Sequence, residues 1–295
     1  MAPHSEPEHR DEVTAHPKGQ DAPIVRMMVL ETDEPHKETK KIPGKTTFGE
    51  ILHNHFTNAG KAHDPPLGIE TDRWFVIPEK GGTMPKYEDF EGCDALLITG
   101  SVYDAHGDDP WILDLLKLLR ELWQNHPKMH FSGVCFGHQL LCRLLGAEVR
   151  PSPKGDWELG HSKIELTPIG KKLFRTDDDH VHLHQMHQDH VVAPPTVESA
   201  QGLLPKGTRV HVWGRSDHTE VQGVYIKGKM FTTQAHLAFD EEMVKRQIEM
   251  RVEAGSIDDQ EAADQAGDTA DLEHDGEVAA GAILRFFHDE DEDVD

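Results

Sequence analysis

The chain has 295 residues, 36% of them hydrophobic, and a formal charge of −24 from 54 acids against 30 bases. The charge sits at the ends: residues 257–295 hold fifteen acids and one base, and residues 1–22 five acids and two bases, so nucleic acid and anionic membranes would be repelled and neither is an expected partner. Three cysteines, no apolar leader and no run near eighteen apolar residues argue against a disulfide framework and a membrane span, and give the expectation of a cytoplasmic protein.

Residues 1–22, rich in Pro, His and acids, predict a disordered tail. The folded domain is expected over residues 23–256. It opens with the apolar run Ile24–Leu30, suited to a buried parallel strand. Thr47 and Glu50 form a capping box for a helix carrying Phe48, Ile51, Leu52 and Phe56 and stopped by Gly60. Strands are predicted at Trp74–Ile77 and Ala95–Thr99, the second ending in Gly100-Ser101. Asp109 at N-cap and Pro110 at N1 start a helix whose apolar stripe runs from Ile112 to Trp123. A short strand at Met129–Phe131 then leads through Gly133-Val134-Cys135-Phe136-Gly137-His138-Gln139 into the helix Leu140–Leu145.

Past Gly146 the pattern changes to short segments: Ala147–Arg150, His161–Leu166, Val181–His184, Arg209–Trp213, Val221–Ile226 and Met230–Gln234. Lys227-Gly228-Lys229 joins the last two as a hairpin turn. Glu241–Ala254 is an amphipathic helix with Glu241–Lys245 and Glu242–Arg246 pairs. Residues 257–277 read as an acidic Ala/Gly-rich linker. Residues 278–288 read as a short helix docking through Ile283, Leu284, Phe286 and Phe287, and residues 289–295 as an acidic tail. Strand and helix alternation in the first half predicts an α/β fold: a mostly parallel central sheet flanked by helices, with an antiparallel extension.

Strand, glycine-flanked residue and helix together form a nucleophile elbow, here presenting a thiol. The flanking glycines are expected to permit the strained backbone, and the helix start to lower the thiol pKa. In parallel sheets the site lies at the carboxyl ends of the strands, where both Cys135 and the Gly100-Ser101 turn fall. The amide of Phe136 is one oxyanion donor and Gly100 or Ser101 a second. His236, just past the apolar strand Met230–Gln234, is the candidate base. His180, His182 and His184 share a strand face that would suit zinc or copper. Twenty-two histidines are scattered along the chain, however, so no metal is assigned.

The Ile98–Ser101 turn, the elbow, Trp157-Glu158-Leu159-Gly160, His187-Gln188-Asp189 and Gln234-Ala235-His236, in that order, resemble the class I glutamine amidotransferases over roughly residues 24–250. The set is most similar to stand-alone fungal members and plant gamma-glutamyl peptidases. The resemblance implies the flavodoxin-like fold of that family, no cofactor, and a small gamma-glutamyl substrate. It also implies thioester chemistry by Cys135 and His236, an oxyanion hole from Gly100, Ser101 and Phe136, and substrate contacts at Gln139, His187, Gln188 and Asp189. Any ammonia-accepting enzyme would be a separate chain. One position departs from the family's His-Pro-Glu: this chain has His236-Leu237-Ala238, so the orienting acid is missing from its place. Asp240, Glu241 or Asp189 could turn inward to replace it. Otherwise the protein is a weak enzyme, or a silent member that binds a ligand or a partner.

Overall fold

The computed structural model describes residues 10–15, 22–291 and 293–294. In chain order the elements are β1 (Arg10–Ala15), β2 (Ile24–Glu31), α1 (Phe48–Ala62), β3 (Gly68–Phe75), β4 (Ala95–Ile98), α2 (Pro110–Asn125), β5 (His130–Val134), α3 (Phe136–Leu144), β6 (Val149–Pro151) and β7 (Glu158–Leu166). There follow α4 (Pro168–Phe174), β8 (His180–His187), β9 (Asp189–Val191), β10 (His211–Arg215), β11 (Gly223–Ile226), β12 (Met230–Thr233), α5 (Glu241–Glu253), α6 (Gln260–Asp268) and α7 (Gly276–Phe287).

Ten strands form one sheet in the order β1-β3-β2-β4-β5-β12-β11-β10-β7-β8, and β6 pairs with β9 apart from it. The five strands β3, β2, β4, β5 and β12 are mutually parallel. From β12 to β8 every pairing is antiparallel, which is the expected extension. Alternation along the central strands sorts side chains onto two cores. Met28 and Leu30 of β2, with Leu96 and Ile98 of β4, face α2 and α3. Met27 and Val29, with Ala95 and Leu97, face α1, α4 and α7. Buried on both faces, the middle of β2 (Met27–Leu30) and the whole of β4 (Ala95–Ile98) are continuously apolar, as buried parallel strands tend to be.

Local signals hold in part. Thr47 accepts from the Glu50 amide at 3.1 Å, but the Glu50 carboxylate turns to Thr46 instead of closing the box. Asp109 makes no side-chain cap bond; its carbonyl receives Ile112 and Leu113.

Three expectations for the ends are corrected. Arg10–Ala15, inside the segment expected to be disordered, runs antiparallel to β3 from Arg10 opposite Trp74 to Ala15 opposite Ile69. Main-chain hydrogen bonds suffice for an edge strand without an apolar pattern. The rest of that tail lies outside the described residues. The expected linker contains α6, capped by Asp259 at 3.0 Å from the Ala262 amide and burying Ala263 and Ala266. Two alanines give too thin a stripe for periodicity to reveal. In the expected acidic tail, Asp291 is buried, accepting from the Tyr225 hydroxyl at 2.6 Å and the Gly228 amide at 3.1 Å.

Candidate active site

The elbow joins β5 to α3 through Cys135 at φ 52°, ψ −105°, a left-handed φ that is strained for a residue with a Cβ. Two main-chain bonds hold it there: the Cys135 amide to Thr233 O at 2.9 Å, and its carbonyl to the Gln139 amide at 3.0 Å. Neither of the flanking glycines has a positive φ, so the strain falls on Cys135 itself. Their function is close approach. A Cβ on Gly133 would lie 2.3 Å from the Gly137 carbonyl carbon, and one on Gly137 2.3 Å from Ile98 O. Only glycine lets α3 settle onto β4 and β5 and push the thiol over the sheet edge.

The thiol and His236 both lie beside Gly100. A Cβ on Gly100 would stand 2.9 Å from His236 Cε1 and 3.5 Å from Cys135 Cβ, so both side chains close on the same side of the turn after β4, where only a glycine leaves room for them. Cys135 and His236 line one cavity together with Gly100, Ser101, Met186 and Phe239. The amides of Gly100 and Ser101 make no hydrogen bond among the described residues and the Phe136 amide faces the thiol, whereas the Val102 amide is taken by Asp33 at 2.9 Å. The Ser101 hydroxyl donates to Thr32 O at 2.6 Å, so any oxyanion role for Ser101 belongs to its backbone. Two open N–H groups and one turned to the thiol suit stabilisation of an oxyanion.

The protonation pattern departs from the expected thiolate. Burial pushes the Cys135 thiol up to about 11, against the opposing pull of Arg251 and the Phe136 amide. Burial also pushes His236 down to about 3, helped by the positive fields of His187, Arg251 and His184. The helix start does act on the thiol, but desolvation is the larger effect. The resting pair is thiol and neutral imidazole. The thiol lies 4.0 Å from Met186 O as a weak donor.

No carboxylate orients His236. Its Nε2 is buried without a hydrogen-bond partner, and the ring is held by stacking on Phe239, with centroids 4.0 Å apart and planes at 18°. The expected substitutes are occupied elsewhere. Asp240 caps α5 through the Met243 amide at 3.1 Å and pairs with Lys45. Glu241 pairs with Lys245 at 2.7 Å. Asp189 lies 3.0 Å from His106 Nδ1. Asp33, the one carboxylate lining the cavity among the described residues, receives Lys80 and the Val102 amide.

A second recess, about 280 Å³, opens from Cys135 and is lined by Gln139, His187, Gln188, Asp189, Trp157 and Arg251, among others. It brings the predicted substrate residues together, though several are bound to one another. Gln139 uses its amide nitrogen on Asp189 O at 2.8 Å and Gln234 Oε1 at 3.1 Å, leaving Oε1 for a ligand. His187 is bridged between Asp189 O at 2.9 Å and Glu158 Oε2 at 3.0 Å. Glu158 is thereby shown as the brace of this loop. Its carboxyl is held below the ordinary range by His187 despite the burial that opposes it. Gln188 donates to Gly155 O at 2.6 Å. Burial raises the Asp189 carboxyl.

Phe239 and Arg251 are site residues that sequence reasoning did not assign. A signal existed for the second: Gln247 and Arg251 fall at i, i+4 on the buried stripe of α5 set by Val244 and Ile248, and polar residues on such a face need a reason. No group of three His, Cys, Asp or Glu side chains is placed to hold a metal among the described residues, the His180–His184 run included. Cys142 is fully buried in the helix core. No helix among the described residues is long and apolar enough to cross a membrane.

A profile of the glutamine amidotransferase class-I family matches residues 82–248, which contain the elbow, the Glu158 brace and His236. A glutamine amidotransferase-like protein of Schizosaccharomyces pombe is 28% identical over 259 residues, covering 88% of this chain and 97% of the relative. Gamma-glutamyl peptidase 2 of Arabidopsis thaliana is 29% identical over 69% of this chain and 76% of its own length. A glutamine amidotransferase of Thermotoga maritima shares the fold at a TM-score of 0.59 and 19% identity, over 89% of this chain and 98% of that one. The chain thus belongs to the class I glutamine amidotransferase family, with the flavodoxin-like fold of its members.

Proposed function

We propose that the protein is a cysteine-dependent hydrolase of glutamine or a gamma-glutamyl compound, working with a Cys–His pair and no triad acid. The strained Cys135 elbow and His236, lining one cavity against Gly100 with the Gly100 and Ser101 amides open, carry this reading. Cys135 Sγ attacks the gamma-carbonyl carbon while His236 takes the thiol proton. The oxyanion rests on the Phe136 amide and that of Gly100 or Ser101. His236 then protonates the departing amine, leaving a gamma-glutamyl thioester; water cleaves it, releasing the gamma-carboxyl product and restoring the thiol. Because the pair rests neutral, the thiolate forms as attack proceeds. Released ammonia would pass to water or to a separate ammonia-accepting enzyme.

The orphaned His236 Nε2 favours a second reading, a member that retains ligand binding and has lost turnover. Treatment with 6-diazo-5-oxonorleucine and adduct mapping by mass spectrometry separates the two. The expected result is a single adduct on Cys135, with ammonia or amine release that disappears in Cys135→Ala. Labelling of Cys135 by a generic thiol reagent, but not by the glutamine analogue, would overturn the hydrolase reading.

A further inference from the structure

Arg251, near the end of α5, has a guanidinium without a hydrogen-bond or ion-pair partner among the described residues. Its Nε is buried without a hydrogen-bond partner, and none of its nitrogens makes an ion pair among the described residues. The planar group lies over the Trp157 ring, 5.4 Å from its centroid, and Trp157 is fixed in turn by donating to Ser256 O at 3.0 Å. The group is half-buried, with Asp33 and Asp104 attracting it through space but neither in contact, so a cation stacked on an aromatic ring and left without an ion-pair partner is well placed to receive an anion from a ligand.

Its position says which anion. Arg251 lines the Cys135–His236 cavity, the recess with Gln139 and Asp189, and a third cavity that opens outward beside Val102. That outer cavity carries His36, Lys37, Lys40 and Lys80. Only Asp33 and Glu34 oppose them there, already paired with Lys80 at 2.9 Å and Lys40 at 2.5 Å. A cationic mouth on a chain of net charge −24 is a local reversal of sign, of the kind that draws in an anion the whole molecule would repel.

We infer that Arg251 anchors a carboxylate on the leaving-group half of the substrate, so that the preferred substrate is a gamma-glutamyl peptide with a free C-terminal carboxylate. This rests on the gamma-glutamyl reading above. The glutamyl half occupies the recess at Gln139 and Asp189, the scissile bond lies over Cys135, and the departing peptide runs outward past Arg251. A planar guanidinium matches a carboxylate through two parallel hydrogen bonds, which a lysine or an amide cannot reproduce.

The test compares the acid and C-terminal amide forms of gamma-glutamylglycine and gamma-glutamylalanylglycine, with glutamine as a substrate that lacks a leaving-group carboxylate. For at least one length, the wild-type protein should favour the acid at least about tenfold in kcat/KM. Arg251→Gln should reduce that preference to less than about twofold, and Arg251→Lys should keep part of it. An acid-to-amide ratio unchanged by Arg251→Gln would overturn the inference. So would a loss on glutamine as large as that on the acids, which would place Arg251 on the glutamyl carboxylate. Dissociation constants measured calorimetrically on Cys135→Ala give a readout independent of turnover. If wild type cleaves none of the substrates, the hydrolase reading fails alone, and the anchor stands or falls on whether Cys135→Ala binds acids more tightly than amides. Equal affinities sink it.

Discussion

At His236 the usual arrangement of an imidazole held by an acid is replaced by an aromatic stack. Phe239 fixes the plane of the ring but cannot choose its tautomer, because a π-face offers no acceptor to Nε2. In serine hydrolases, removal of the third group lowers turnover by about ten-thousandfold. A thiol depends on it less, since it gives up its proton more readily than a hydroxyl. Ala238→Glu is expected to raise kcat on a gamma-glutamyl substrate by about tenfold or more, through a new acceptor for Nε2. Steady-state kinetics checks this, and an unchanged kcat would show that the Phe239 stack already sets the ring. The missing acid was legible at Ala238 itself. That Asp240, Glu241 and Asp189 do not replace it was not, because each is occupied by a partner that only folding supplies.

Among the elements, β7 and β8 carry a pile of imidazoles whose alternation was plain in the sequence and whose meaning was not. His161 stacks on His182 at 4.7 Å and 9°, and His184 meets His274, which precedes α7, at 4.8 Å. Both nitrogens of His184 are buried without partners. Burial, with His274 and His161 as like charges, pushes it down to about 4 against the pull of Asp240. Burial likewise lowers His182 and His274, where His161, His180, His55 and Lys163 add repulsion and Asp275 attraction. The unfolded chain binds the His184 proton near pH 6.5 and the folded chain only near pH 4, so the stability it contributes is present above about 6.5 and lost as pH falls toward 4, with the lowered His182 and His274 acting in the same direction. For His184 the full loss is about 3 kcal/mol. Thermal melts should show Tm dropping between pH 6.5 and 4.5, and His184→Asn should flatten that drop; an equal slope in both proteins would refute it. Elsewhere, α1, α5 and the hairpin at Lys227–Lys229 were readable because caps, i, i+4 pairs and turn glycines are local chemistry. β1 and α6 were hidden, because an edge strand stands on main-chain bonds and α6 on two alanines.

On the scale of the whole molecule, one sheet separates two cores, and the C-terminal segment completes one of them. Phe286 and Phe287 of α7 lie against Phe56, Tyr225 and Phe231, which come from α1, β11 and β12. Phe286→Ala should reduce unfolding free energy by about 3–5 kcal/mol, read from urea denaturation, and a loss below about 1 kcal/mol would mean that α7 is an accessory. What the sequence by itself determined is what neighbours along the chain decide: the alternation of parallel strands and helices, the elbow at Cys135, the turn at Gly100 and the gap at Ala238. Only the tertiary structure decided the resting protonation of the pair, the Phe239 stack and the unmatched Arg251. Each depends on how far water is excluded by segments distant in sequence, and desolvation is a property of the closed cavity that no local pattern encodes.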